Sequence, residues 1–129
     1  MTSPLSHTID ERPDYPLLRV QLRPGEKVFA EPGSMVTMDR VNLKAGFAGG
    51  LKKTVGRMFG GESLIMNTYT GEGSGGEVSF APASLGDIQH VQVGAGSTIM
   101  LQRGAFLAHG EGVELNGKWG GARGFFGGQ

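Results

Sequence analysis

The stretch Leu18-Arg19-Val20-Gln21-Leu22-Arg23-Pro24-Gly25-Glu26-Lys27-Val28-Phe29-Ala30 decides the fold class. Leu18, Val20 and Leu22 alternate with Arg19, Gln21 and Arg23, which is the period of a strand with one face buried. Pro24-Gly25 supplies a turn, and Lys27 to Ala30 begins a second apolar run. Working outward, Ser34 to Met38, Ser63 to Thr70, Glu77 to Ala81, Asp87 to Val93 and Thr98 to Gln102 are further short runs bounded by Gly, Pro or polar pairs. Short strands at this spacing predict an all-β chain, a sandwich or a barrel-like fold. The 24 glycines among 129 residues, against about 7% in ordinary globular proteins, argue against a helical bundle.

The first fourteen residues mix Ser, Thr, Pro and His with Asp10, Glu11 and Asp14, and are expected to be a flexible lead-in. They have neither the apolar core of a signal peptide nor the basic, acid-poor character of a transit peptide. One segment breaks the strand pattern. Between Gly46 and Gly61, Phe47, Leu51, Val55 and Phe59 recur every four positions with Met58 on the same arc, while Lys52, Lys53 and Arg57 project elsewhere. That spacing predicts a short amphipathic basic helix or loop, weakened by glycines at about 1 kcal/mol each inside a helix. Its apolar stripe covers a sheet edge or an oligomer contact, or else lies on a membrane surface.

The sequence also matches itself. Leu17 to Val36 aligns on Ile88 to Leu107 at an offset of 71 residues, with Val20-Gln21 on Val91-Gln92, Gly25 on Gly96 and Gly33 on Gly104. With one residue inserted, Val41-Asn42-Leu43 falls on Val113-Glu114-Leu115 and Phe47 on Trp119. After a short deletion, Phe59-Gly60-Gly61-Glu62 falls on Phe126-Gly127-Gly128-Gln129. Shared composition would not hold one register over twenty residues and then resume it, so the pattern reads as a duplication. The first unit spans 15–86 and the second, incomplete unit 87–129, which has no counterpart of Ser63 to Gly86. An incomplete copy leaves strand edges to be covered, and self-association is the default expectation. The interface or membrane-surface residues expected on this reading are Phe47, Leu51, Lys52, Lys53, Val55, Arg57, Met58 and Phe59. Trp119, Phe125 and Phe126 join them at the repeat-related end.

Gly33-Ser34-Met35-Val36, Gly60-Gly61-Glu62-Ser63-Leu64, Asn67-Thr68-Tyr69, Gly75-Gly76-Glu77-Val78 and Gly86-Asp87-Ile88 follow in succession. That succession resembles the altered-inheritance-of-mitochondria protein twenty-four family. The resemblance runs from about Tyr15 to Gln129 and is most specific between Gly60 and Tyr69. The family's fungal member is tied to mitochondrial inner-membrane organisation, and it has many bacterial and archaeal relatives of unassigned activity. The resemblance implies a duplicated β fold similar to the tryptophan RNA-binding attenuation protein, of short double-stranded β-helix type, with oligomeric assembly. Family members usually complete both copies, and this chain departs from them by ending inside the second. The resemblance supplies no catalytic residue and no cofactor. A bacterial, cytoplasmic member is expected.

Other signals weigh less. The formal net charge is zero, so no global field recruits nucleic acid, and the only basic cluster is Lys44, Lys52, Lys53 and Arg57. Zero cysteines exclude disulfides and thiolate chemistry and fit a reducing compartment. Gly71 to Gly76 spells a dinucleotide-binding glycine motif, but a strand follows where a helix N-terminus must receive the pyrophosphate, so a hairpin connection is expected. Gly112 to Lys118 begins a phosphate-binding loop, yet Trp119 stands where a hydroxyl must reach magnesium. His7, His90 and His109 show no metal-ligand spacing, so no metal is expected. Glu62 and Glu77 flank the central strands and could be read as an acid and base pair, with a turn or contact role favoured. The resulting expectation is a non-enzymatic, self-associating scaffold without cofactor. A peripheral membrane protein using 46–61 and a small-molecule or metal-binding module are the alternatives.

Overall fold

The alternation about Val20 forms a strand because both of its flanks find neighbours. In the computed structural model, which describes residues 5–46 and 65–115, the strands in chain order are β1 (Ser6–Asp10), β2 (Leu17–Leu22), β3 (Lys27–Ala30), β4 (Met35–Asp39), β5 (Val41–Lys44), β6 (Asn67–Gly71), β7 (Gly76–Phe80) and β8 (Ala108–Gly110). A 3-10 turn at Arg103–Ala105 precedes β8. The strands make two antiparallel four-stranded sheets, β1-β2-β7-β4 and β5-β6-β3-β8. The protein is therefore all-β, a sandwich of two sheets, and no α-helix occurs among the described residues.

One core lies between the sheets. Val20, Leu22, Val78 and Phe80 from the first sheet meet Val28, Ala30, Val41 and Tyr69 from the second. The Tyr69 ring stands edge-on to Phe80 at 5.1 Å, a geometry that suits the ring quadrupoles. Removing each such apolar side chain from water contributes about 1.5–3 kcal/mol. Arg19, Gln21 and Glu77 occupy the opposite face of the first sheet, as the alternation requires.

Most connections change sheet. β2 to β3, β3 to β4, β4 to β5 and β6 to β7 each carry the chain from one sheet to the other. The β2–β3 corner closes on a Glu26 N–H donating to the Arg23 carbonyl at 2.9 Å, with Gly25 at φ +78°. The Gly25 N–H donates to Gly71 and the Gly71 N–H to Glu26, both at 2.9 Å, which locks this corner to the end of β6. At Gly76 a Cβ would strike the carbonyl oxygens of Asp39 and Arg40, so the close passage of β7 beside the β4–β5 corner requires glycine.

The structure differs from the sequence reading at six places. Residues 1–14, expected as a flexible lead-in, contain β1, paired with β2 from Ser6↔Gln21 to Asp10↔Leu17. A five-residue run among acids and prolines carries little local signal, and the exposed edge of β2 supplies the order. Val41–Lys44 and Ala108–Gly110 are not among the expected strands, and they pair with β6 and β3. Gly71 to Gly76 is a corner rather than a hairpin, since β6 and β7 lie in different sheets. Asp87 to Val93 and Thr98 to Gln102 have the strand pattern but form no strand. Their alternation describes a surface ready to pair, and no described strand lies alongside to supply hydrogen bonds. The expected helix or loop at 46–61 lies almost wholly outside the described residues.

Local turns nevertheless recur at the 71-residue spacing. The Ser97 N–H donates to Gly94 at 3.0 Å, as Glu26 does to Arg23, and Gly96 has the same φ of +78° as Gly25. The Ala105 N–H donates to Gln102 at 3.0 Å, as Ser34 does to Glu31 at 3.3 Å.

Candidate interaction surface

Phe47, Leu51, Lys52, Lys53, Val55, Arg57, Met58 and Phe59, with Trp119, Phe125 and Phe126, lie outside the described residues. The described residues offer a different surface, which begins at the sheet edges. β1 and β4 border one sheet, β5 and β8 the other. Exposed edges invite pairing unless charge, brevity or a bulge protects them. β5 carries Lys44 and β8 has only three residues. β4 reads Met-Val-Thr-Met before its first charge at Asp39, its pairing with β7 shifts register between Met35 and Thr37, and on its outer side no described strand pairs with it. Val36 and Met38 are exposed there, Met38 to 42%.

A second apolar surface lies further along the chain. Val91, Ile99, Met100 and Leu101 are all exposed, although Ile88 is buried. The start of this segment is fixed by a bidentate contact in which Arg12 Nε and Nη2 donate to the two Asp87 carboxylate oxygens at 2.9 and 2.8 Å. Hydrogen bonding from Arg12 holds the Asp87 carboxyl below its ordinary range. The His7 and His90 rings also meet, with centroids 4.7 Å apart, so the segment passes close to β1. On the outer face of the second sheet, His109 stacks on Phe29 at 4.9 Å and touches Phe106.

The outer face of the first sheet is polar and paired. Arg19 donates to Glu77 at 2.7 Å and to Asp10 at 3.1 Å, and Gln21 donates to Glu77 at 3.2 Å. Arg19, and then Gln21, lower the Glu77 pKa. A carboxylate engaged in this way and shifted downward is poorly matched to a general base working near neutrality. Glu62, its suggested partner, lies outside the described residues. Three or more metal-ligating side chains do not converge anywhere among the described residues. A recess of about 210 Å³ lined by Pro13, Asp14, Tyr15, Leu85 and Gly86 lies beside the Arg12–Asp87 pair, below the roughly 300–1,000 Å³ usual for small-molecule pockets. No helix of the described residues is long and apolar enough to cross a membrane.

Sequence reasoning missed the Arg19–Glu77 pair, the Arg12–Asp87 clamp and the His7–His90 contact. Opposite charges on the polar faces of two neighbouring strands could have suggested the first. The other two join segments whose adjacency depends on β1, which carried no local signal.

Comparison with known proteins agrees with this fold. An uncharacterised protein of Streptococcus pyogenes serotype M6 is 33% identical over 109 residues, covering 78% of this chain and 43% of that protein. A crystal structure of a protein from Streptococcus pyogenes is similar with a TM-score of 0.63 at 29% identity, covering 83% of this chain and 50% of that one. The chain thus spans about half the length of the relatives it matches. The family model described as mitochondrial biogenesis AIM24 matches residues 7–129, and the chain belongs to that family.

Proposed function

We propose that this chain is a non-enzymatic, self-associating β scaffold, built from a duplicated unit, whose work is assembly or partner contact. The observation that carries the reading is the apolar outer edge of β4, which no described strand pairs, together with the exposed side chains of Val91, Ile99, Met100 and Leu101. Exposed apolar surface of this kind marks contact sites in soluble proteins. The recurrence of two turn hydrogen bonds and a positive φ at 71-residue spacing supports the duplication. The engagement of Glu77 by Arg19 and Gln21 supports a structural rather than a catalytic role for that carboxylate. Zero cysteines fit a cytoplasmic setting.

The test is the molar mass of the purified chain by light scattering coupled to size exclusion. A single closed oligomer is expected, and a strictly monomeric, well-folded chain at micromolar concentration overturns the reading.

The apolar spacing of Phe47, Leu51, Val55 and Phe59, with Lys52, Lys53 and Arg57 alongside, favours a second reading as a peripheral membrane surface. Co-sedimentation with anionic vesicles at low salt tests it. Binding that survives Lys52→Glu with Lys53→Glu removes the basic segment from the account.

A further inference from the structure

We infer that the outer edge of β4 is a docking strand for Thr98–Leu101 of a second copy of this chain, antiparallel and in the register Met38↔Ile99, Thr37↔Met100, the ladder ending at the irregularity between Met35 and Thr37. The inference rests on the self-association proposed above and names the surfaces and the register that produce it.

The template is already within the chain. β3 pairs with β8 in the register Val28↔Gly110, Phe29↔His109, Ala30↔Ala108, and the Glu31 N–H extends the ladder to Leu107 at 3.0 Å. In the duplicated reading β3 corresponds to Thr98–Leu101, and β8 corresponds to the middle of β4. One unit's third strand therefore pairs with the other unit's fourth. The reciprocal pair is β4 with Thr98–Leu101, and it is not made within the described chain, where β4 pairs only with β7.

Side-chain direction fixes the register. Met38 lies opposite buried Val78 and so faces the core side, whereas Thr37 lies opposite Ser79 and bonds its hydroxyl at 2.7 Å on the outer side. In β8 the alternation places Gly110 on the core side, opposite buried Val28, and His109 on the outer side against Phe29. Matching faces pairs Met38 with Gly110 and Thr37 with His109, so the one-residue insertion falls before β8. Arg40 and Gly112, both at positive φ, then coincide as well. Carried across the repeat, Val28↔Gly110 becomes Ile99↔Met38, an apolar pair on the core side. A slip of one residue would set Ile99 against Asp39 and turn every side chain to the wrong face.

A second copy is the occupant because the outer edge of β4 and Thr98–Leu101 both lack a pairing strand among the described residues, and each copy offers both. Two copies exchanging them related by a twofold axis make a closed dimer in which each contact occurs twice. Apolar character agrees: Met38, Ile99 and Met100 are exposed side chains that the pairing covers.

The absence of native cysteine makes the test clean. A chain carrying Met38→Cys is mixed with a chain carrying Ile99→Cys under mild oxidation, and disulfide-linked peptides are identified by mass spectrometry. Correct register brings the Cβ atoms within disulfide reach, and the mixed disulfide should form about tenfold faster or more than in a control mixture of Met38→Cys with Met100→Cys, whose side chains face opposite ways. Equal rates in the two mixtures, with an oligomer still seen by light scattering, overturn the docking strand while leaving self-association standing. A double variant that forms the disulfide inside a monomer assigns the edge to the chain's own segment and also overturns the inference. A monomer with no cross-link removes both.

Discussion

Leu17–Ala30 and Ile88–Leu101 share a pattern and differ in outcome. Each has alternating apolar residues, then a turn with glycine at φ +78°, then a second apolar run. In the first, both runs are strands with neighbours on two sides: β2 lies between β1 and β7, and β3 between β6 and β8. In the second, the turn bond is kept and neither run is a strand. A turn is decided by the φ preferences of a few residues and closes on itself. A strand is decided by what lies beside it. The contrast reaches single residues, since Val20 is 2% exposed and its match Val91 is 55% exposed.

The largest effect should come from the core that β6 and β7 complete. Tyr69 on β6 fills the core against Phe80. Tyr69→Ala should cost about 3–5 kcal/mol, as for other buried aromatic truncations. Urea denaturation measures it, and a loss under about 1 kcal/mol would mean that β6 does not hold the first unit together.

The repeat-matched valines sharpen the comparison. Val20→Ala should lower stability by about 2 kcal/mol, whereas Val91→Ala should stay within about 0.5 kcal/mol. Equal losses from the same chemical change would show that Val91 is packed as Val20 is, and the difference between the two stretches would disappear.

The smallest effect concerns charge. Glu77 has its pKa lowered from an ordinary value near 4.5, chiefly by the hydrogen bond from Arg19. A carboxyl with a folded pKa below its unfolded value stabilises the fold fully above the unfolded value, and that contribution is lost as pH falls through the folded one. Arg19→Met should therefore lower the thermal midpoint slightly near neutral pH. The gap from the unmodified chain should shrink as the pH falls below the ordinary glutamate range. A gap that holds constant into that acid range would show that Arg19 acts through packing rather than through the Glu77 charge.

These contrasts also mark what was legible in the sequence. The alternation of Leu18, Val20 and Leu22 identified β2 and its buried face, and Pro24-Gly25 located the corner after it. The same logic over-read Asp87 to Val93 and Thr98 to Gln102, because periodicity records which face would be buried and carries no information about a neighbour. It under-read β1, whose order comes from pairing with β2 and from Asp10 accepting a hydrogen bond from Arg19. The candidate surface was legible only in its principle, that strand edges need cover. Its location on β4 required the sheet order, because Met35 to Met38 reads like any other strand until its outer side is seen to lack a partner among the described residues.

Amide hydrogen exchange followed against protein concentration tests the central claim most directly, since protection reports whether a backbone ladder exists. β2 and β3 should be protected at every concentration. Thr98 to Leu101 should exchange freely in dilute protein and become protected, together with the outer edge of β4, as the oligomer forms. Protection of Thr98 to Leu101 equal to that of β3 in a dilute monomer would contradict it.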